Sequence, residues 1–568
     1  MKFSTAHIRK NSEKNTKLVI LTINIFILAA VVFALRPKYC TNDDNAMISV
    51  LCGAYGRPDG HIIYTNYILG LLLSSLYKIR QDFFWYAAFY YLLMLYSFTV
   101  ITSVVFRRAK NNVIKALLAL VLLFGCFECY ASPTYTKSAA VLAIAGMAHI
   151  TEAGCSDTVK PAEMILGVIL CFLSFMVREY MFFSEALICV SMLITATGDQ
   201  IKNQEKGEIK KRVLRYAVCA AALGMLMCGA KLTDDMAYSS EEWKEYKLYN
   251  KFRTEMTDFG WTDYSLNREL YSSLGIDRED IELYLKWDLY DTEVLSRQTL
   301  QKLSEAKEKP KITISYLIEA VSELTGEWFK NCGFLLFIIV LVISTVTGKH
   351  TKSETAAVLY AFGVFFLMFM YLYYRGRYQV ERANFGLYYS LLICTVFSVS
   401  SHEMSVSKKR IMLILILSST ILTVCYVRGN RRIFEDNRDF RKLKQEYTVE
   451  HADDDRLYIS DMSTAYLVPA YAVFDIMPTK YMTNNIPLGT WLNESPVQKN
   501  VMRKWGVTNP FRALVENENA YLLDGGNFPE IYEYLKKHYG EDIVFETVRQ
   551  DYLTVYKFSH GEDSQREK

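Results

Sequence analysis

Apolar stretches long enough to cross the ~30 Å hydrocarbon core of a bilayer recur along this chain. They lie near residues 18–35, 84–106, 113–131, 136–150, 161–177, 180–197, 214–230, 332–348, 355–373, 384–400 and 410–427. A backbone in hydrocarbon must satisfy its own hydrogen bonds, so these stretches predict about eleven transmembrane helices of a polytopic α-helical membrane protein. Composition agrees, since 51% of the 568 residues are hydrophobic and 14% aromatic, more than a soluble chain of this length usually carries. Lys+Arg 64 against Asp+Glu 61 leave a formal charge of +3, so no whole-chain charge points to nucleic acid.

Charge placement orients the spans. Lys2, Arg9, Lys10, Lys14 and Lys17 precede the first one and predict a cytoplasmic N-terminus. "FALRPKY" offers no small-x-small cleavage site, so the first span reads as an uncleaved anchor. Segment 62–77, "IIYTNYILGLLLSSLY", is apolar but short. Treated as an interfacial helix, it leaves Arg107, Arg108, Lys110 and Lys115, then Lys202 to Arg215, Lys349 and Lys352, then Lys408 to Arg410 inside, as the positive-inside rule requires. The basic stretch "VRGNRRIFEDNRDFRKLKQ" after the last span runs against this topology, although long domains translocate largely regardless of charge.

Three polar regions then share the outer face: the loop 36–83, an insertion at 231–331, and a tail from 431 to 568 beyond a membrane domain of 1–430. Amphipathic helices are expected in the insertion around 265–274, 278–287 and 297–307. In the tail, "RLYISD" and "NAYLLDG" read as strands, "FPEIYEYLKKHYG" as a helix ended by Gly540, and "TVRQDYLTVYKF" as hairpin-like strand, which together predict a small α/β extracytoplasmic domain. Most of the 12 cysteines sit in apolar runs and read as small packing residues. Cys40 and Cys52 flank the acidic loop and could form a disulfide, with no wider cysteine framework around them.

The outer turns hold the notable charges. Asp43 and Asp44 follow the first span, and two abutting carboxylates suit a general base or an oxygen-rich cation site, or simply cap a helix. Arg57, Asp59 and His61 precede the short helix. Arg178 and Glu179 form a tight turn between two spans, either as an ion pair or with separate partners. Arg375, Arg377 and Arg382 crowd into "YYRGRYQVER"; guanidinium groups bind phosphate oxygens bidentately, and otherwise pair with carboxylates such as Glu381 or with headgroups. No GxxxxGK[ST], GxSxG, HExxH or glycine-rich dinucleotide motif is present, which argues against ATP hydrolysis and several hydrolase chemistries.

The order of parts, one span, then "TNDD", then the "G-H-x-x-Y-x-N-x-x-L-G-x-L-L-x-x-L-Y-K" helix, then "WYAAFYYLLMLYSFTVITSVVFRR", resembles the membrane glycosyltransferases of the GT-C fold. The resemblance covers residues 1–430 as architecture, with motif support in 42–78, 131–145, 178–179 and 371–385. It implies transfer of a sugar, hexosyl or pentosyl, with inversion, from a polyprenyl-phosphate carrier to a hydroxyl of a glycan, polymer or lipid at the outer face of the cell membrane. It further implies that Asp43 or Asp44 acts as base. Arg178, Arg375, Arg377 and Arg382 are the residues expected to meet the donor phosphate, with Lys137 of "SPTYTK" behind them. Such members often carry "HPP" where this chain has "RPDGH", so the acceptor class does not transfer. No DxD-type pair stands in the outer loop 36–83; no cofactor is certain, and a divalent cation stays open. A polysaccharide polymerase, ligase or lipid-linked sugar flippase is the alternative, and a scaffold binding wall polymers is the alternative of another class.

Overall fold

The computed structural model describes residues 2–35, 37–156, 160–201, 206–347, 350–400, 455–465 and 472–561. The span expected at 410–427 and the basic stretch after it lie outside the described residues. The chain begins with α1 (Lys2–Leu35), α2 (Asn42–Cys52) and α3 (Tyr67–Ile79). Apolar helices follow: α4 (Trp85–Arg108), α5 (Asn112–Ala131), α6 (Tyr135–Cys155), α7 (Pro161–Val177), α8 (Glu179–Ile201) and α9 (Lys206–Ala237). The insertion contributes α10 (Glu241–Thr257), α11 (Arg268–Ser273), α12 (Arg278–Leu285) and α13 (Arg297–Ala306), before α14 (Ile314–Lys330) leads to α15 (Cys332–Thr347), α16 (Lys352–Tyr374) and α17 (Glu381–Val399).

Seven of these helices are long and apolar enough to cross a membrane singly, and α14 with α15, bent by 86°, makes an eighth if the pair counts as one span. The chain is a multi-pass membrane protein. The expected spans 161–177 and 332–348 form helices of only 17 and 16 residues. The expected span 384–400 forms α17, buried from Asn384 to Val399; an apolar run alone does not separate a helix facing lipid from one enclosed by other helices. The short apolar helix starts later than expected, at Tyr67, and has 13 residues, about 20 Å of rise, too little to cross.

Within the bundle, α6 is buried along nearly its whole length and α7 packs closely on it. Small residues make this approach: a Cβ at Gly146 would lie 2.5 Å from Cys171 Sγ and 2.8 Å from the Gly167 carbonyl. Close backbone contact is how apolar helices associate where lipid offers no hydrophobic drive.

The tail folds as a five-stranded sheet of order β2-β1-β3-β5-β4, with β1 (Leu457–Ser460), β2 (Asn485–Pro487), β3 (Ala520–Asp524), β4 (Ile543–Gln550) and β5 (Thr554–His560). β2, β1 and β3 run parallel, and β5 and β4 close the sheet antiparallel. Helices α18 (Pro496–Lys504), α19 (Pro510–Glu516) and α20 (Phe528–Tyr539) cover it. The insertion and the tail share one hydrophobic core, in which Tyr249, Phe252, Leu300 and Leu303 pack with Leu457, Ile459, Leu522 and Phe511. Buried Asp288 fastens them, accepting from the Met462 N–H at 2.6 Å and from Asn527 Nδ2 at 2.7 Å.

Candidate active site

The acidic pair opens a helix rather than lying in an extended loop. Thr41 precedes α2, and Asp43 and Asp44 occupy its first turn, where a helix N-terminus favours negative charge. Successive helical residues point about 100° apart, so the two carboxylates part company. Asp43 lines a cavity of ≈ 320 Å³ and is paired with Arg382 at 3.0 Å. Asp44 is 0% exposed and lies behind it, accepting from Tyr86 Oη at 2.8 Å and the Tyr135 N–H at 3.0 Å on one oxygen. Burial pushes the Asp44 carboxyl up to about 6, against the lowering effect of the Tyr86 and Tyr135 hydrogen bonds. With each acid held by its own partner, the pair does not make an oxygen cage for a cation, and no three His, Cys, Asp or Glu among the described residues converge as a metal site.

The cavity lies where α2, α10, the α16–α17 turn and the 481–491 segment meet. Three guanidinium groups line it: Arg253 of α10, Arg377 and Arg382. Arg377 donates to the Asp258 carbonyl at 3.0 Å and sits 3.6 Å from its carboxylate. Arg253 is 2% exposed. Its hydrogen bonds go to Asn250, Thr254 and Thr257, and among the described residues no carboxylate pairs with it. A buried cation without a counter-ion is costly unless an anion completes it. Aromatic walls come from Tyr55, Tyr64, Trp287, Tyr481 and Trp491.

The tail holds α2 in place. The Lys480 and Met482 N–H groups donate to the Gly53 and Ala54 carbonyls at 3.1 and 3.0 Å, and Tyr481 Oη meets Ser49 Oγ at 2.7 Å. The arginine turn is fixed from two sides. Arg375 reaches Glu255 at 3.1 Å and lies 4.0 Å over the Phe259 ring, while Tyr378 Oη donates to Glu323 of α14.

Of the residues singled out in sequence, Asp43, Arg377 and Arg382 meet at this cavity; the others lie elsewhere. Arg178 stands behind Tyr64, its guanidinium 5.0 Å from that ring and 5.5 Å from that of Tyr135. It does not pair with Glu179, which lies 3.6 Å from Lys231. Arg375 is occupied by Glu255. Lys137 is 1% exposed inside the bundle, bound to Glu128 at 2.9 Å and to the Ser132 carbonyl at 3.1 Å. Arg57 is exposed. Asp59 accepts from the His61 ring, which stacks on Trp243 at 4.7 Å and so joins the segment between α2 and α3 to α10. Cys40 and Cys52 are free thiols.

Sequence alone does not single out the cavity residues Arg253, Asp258, Trp287, Tyr481 and Trp491. Arg253 sits among Lys251 and Glu255, a pattern indistinguishable from a solvated helix face. The tryptophans carried the better signal, since the chain has only 7 and two of them line the cavity.

No protein-family model and no curated protein matches the chain. Among solved structures it is similar to ArnT from Cupriavidus metallidurans in the apo state, at 11% identity over 96% of this chain and 98% of that one, with a TM-score of 0.40. It is also similar to ArnT from Cupriavidus metallidurans bound to undecaprenyl phosphate, at 10% identity over 95% and 97%, with a TM-score of 0.39. A likeness of this degree carries no inference about chemistry, which rests on the geometry of the cavity.

Proposed function

We propose that the chain is a membrane glycosyltransferase that moves a sugar, with inversion, from a polyprenyl-phosphate carrier to a hydroxyl of a glycan, polymer or lipid. The observation that carries this reading is a single cavity uniting two carboxylates, Asp43 and Asp258, with three guanidinium groups and aromatic walls beside the ends of apolar helices. Asp43 takes the proton of the acceptor hydroxyl as its oxygen bonds to the anomeric carbon. The bond from that carbon to the carrier phosphate breaks on the opposite side, and the electron pair leaves with the phosphate. Arg382, Arg377 and Arg253 offset the charge gathering there, the electrostatic contribution that dominates many such steps. Asp44, fixed by Tyr86 and Tyr135, positions the turn that presents Asp43. The cavity faces the outer side of the cell membrane, with the N-terminus inside.

A lipid-linked sugar flippase is the second reading, and the polar groups inside the bundle favour it: Lys137 with Glu128, and Glu185 with Ser390. Such groups mark pathways in many membrane proteins. The two readings part in detergent, where sidedness vanishes. Incubated with a polyprenyl-phosphate sugar and acceptor, a transferase releases free polyprenyl phosphate and a flippase releases none. In cells, Asp43→Asn should alter the mass profile of the surface glycan at unchanged protein level; an unaltered profile would sink the transfer reading.

A further inference from the structure

We propose that Trp287 and Trp491, carried on two turns locked against each other, form the platform on which a sugar ring of the acceptor glycan lies; this rests on the glycosyl-transfer reading above. Trp287 follows the end of α12 with φ of 74°, a left-handed position that helix ends normally give to glycine or asparagine. A bulky residue there is strained, and strain of this kind gathers where a side chain must be placed for use. Among the described residues four non-glycine positions have positive φ, and two more of them, Ile63 and Lys480, immediately precede the cavity-lining Tyr64 and Tyr481.

The surroundings hold the Trp287 backbone in this state. The Leu488 carbonyl accepts from both the Leu289 and Tyr290 N–H groups, at 2.9 and 2.7 Å. Gly489 is so close that a Cβ on it would fall 1.5 Å from the Trp287 carbonyl oxygen. Trp491 leaves the same turn and also lines the cavity. It is 6% exposed, yet its Nε1–H has no acceptor among the described residues. A buried indole donor left without a partner is costly, and a ligand oxygen relieves it.

One aromatic wall and one waiting donor are what a pyranose or furanose offers contacts for: apolar C–H faces for an indole plane, and ring or hydroxyl oxygens at the edge. Trp287 and Trp491 belong to the insertion and the tail rather than to the apolar helices. The carrier's lipid tail keeps the donor sugar at the span ends, by Arg382 and Asp43. The acceptor approaches from water, past the tryptophans.

The full chain, purified in a detergent without a sugar headgroup, is to be titrated with maltotriose, cellotriose, mannotriose and chitotriose, with binding read by saturation-transfer NMR. At least one should bind with a Kd of roughly millimolar order. Trp491→Phe, which keeps an aromatic ring, though a smaller one, and removes the N–H, should weaken that binding at least about 5-fold. Trp287→Gly should weaken it at least about 10-fold while the thermal midpoint stays level or rises, because glycine suits the backbone there. Trp287→Tyr should recover part of the loss. The platform is overturned if none of the four sugars binds, if the variants bind as the parent does, or if Trp287→Gly loses binding together with a lowered thermal midpoint. Binding that follows the tryptophans, in a protein whose Asp43→Asn variant leaves the surface glycan unaltered, upholds the sugar platform while the glycosyl-transfer reading fails.

Discussion

At the residue scale, Asp43 and Asp44 show how neighbours in sequence acquire different chemistry from their surroundings. Asp44 is fully buried, with its carboxyl raised from 3.8 to about 6. The folded chain therefore holds a proton that the unfolded chain releases. The stability contributed is present in full below pH ~4 and is lost as pH rises through about 6, amounting to about 3 kcal/mol. Asp44→Asn should flatten this decline in thermal melts between pH 4 and pH 7, and an unchanged slope would remove Asp44 as its source. Arg253 makes the converse case. Arg253→Met takes away a buried charge that no carboxylate among the described residues balances, so the melting point should hold or rise, while kcat/KM for the donor falls by about 100-fold or more.

At the scale of elements, the contact of α6 with α7 rests on absent side chains. Gly146→Val would drive a side chain into Cys171 Sγ and the Gly167 carbonyl, and should destabilise the bundle by about 1–3 kcal/mol. Thermal melting in detergent measures this, with Met147→Val, at a partly exposed position of the same helix, as the comparison. The element pattern also shows what sequence conveys. Long apolar runs, the tail helix closed by Gly540, and the two "LYIS" and "AYLLD" strands follow from local periodicity and turn residues. α2 was not legible because its 11 residues have an apolar face set by the tail, more than 400 residues away. Likewise Asn485–Pro487 is a three-residue strand, made by pairing with β1 and not by propensity. Asp43 was visible in a motif; Trp287 acquires its meaning only from Gly489.

At the scale of the molecule, the insertion and the tail behave as one body because their apolar residues share a core. Asp288→Ala leaves the Met462 N–H and the Asn527 amide without their acceptor and should cost about 1–3 kcal/mol. Hydrogen exchange should then rise in α10–α13 and in β1 and β3 together; a change confined to one of them would contradict the shared core. Topology is tested by Lys110→Cys and Ser240→Cys. An impermeant maleimide applied to intact cells should label position 240 and leave position 110 untouched, and the reverse pattern would put the cavity on the inner face.

The turn between α16 and α17 is tied through Arg375 to Glu255, through Arg377 to Asp258, and through Tyr378 to Glu323. Guanidinium groups on so anchored a segment have little rotational freedom left to surrender when an anion arrives. Ordering entropy that a mobile loop would lose at each turnover is lost here once, during folding. Loosening the Arg375 or the Tyr378 tie, through Glu255 or Glu323, should therefore slow the reaction at saturating substrate without removing a single group from the cavity wall.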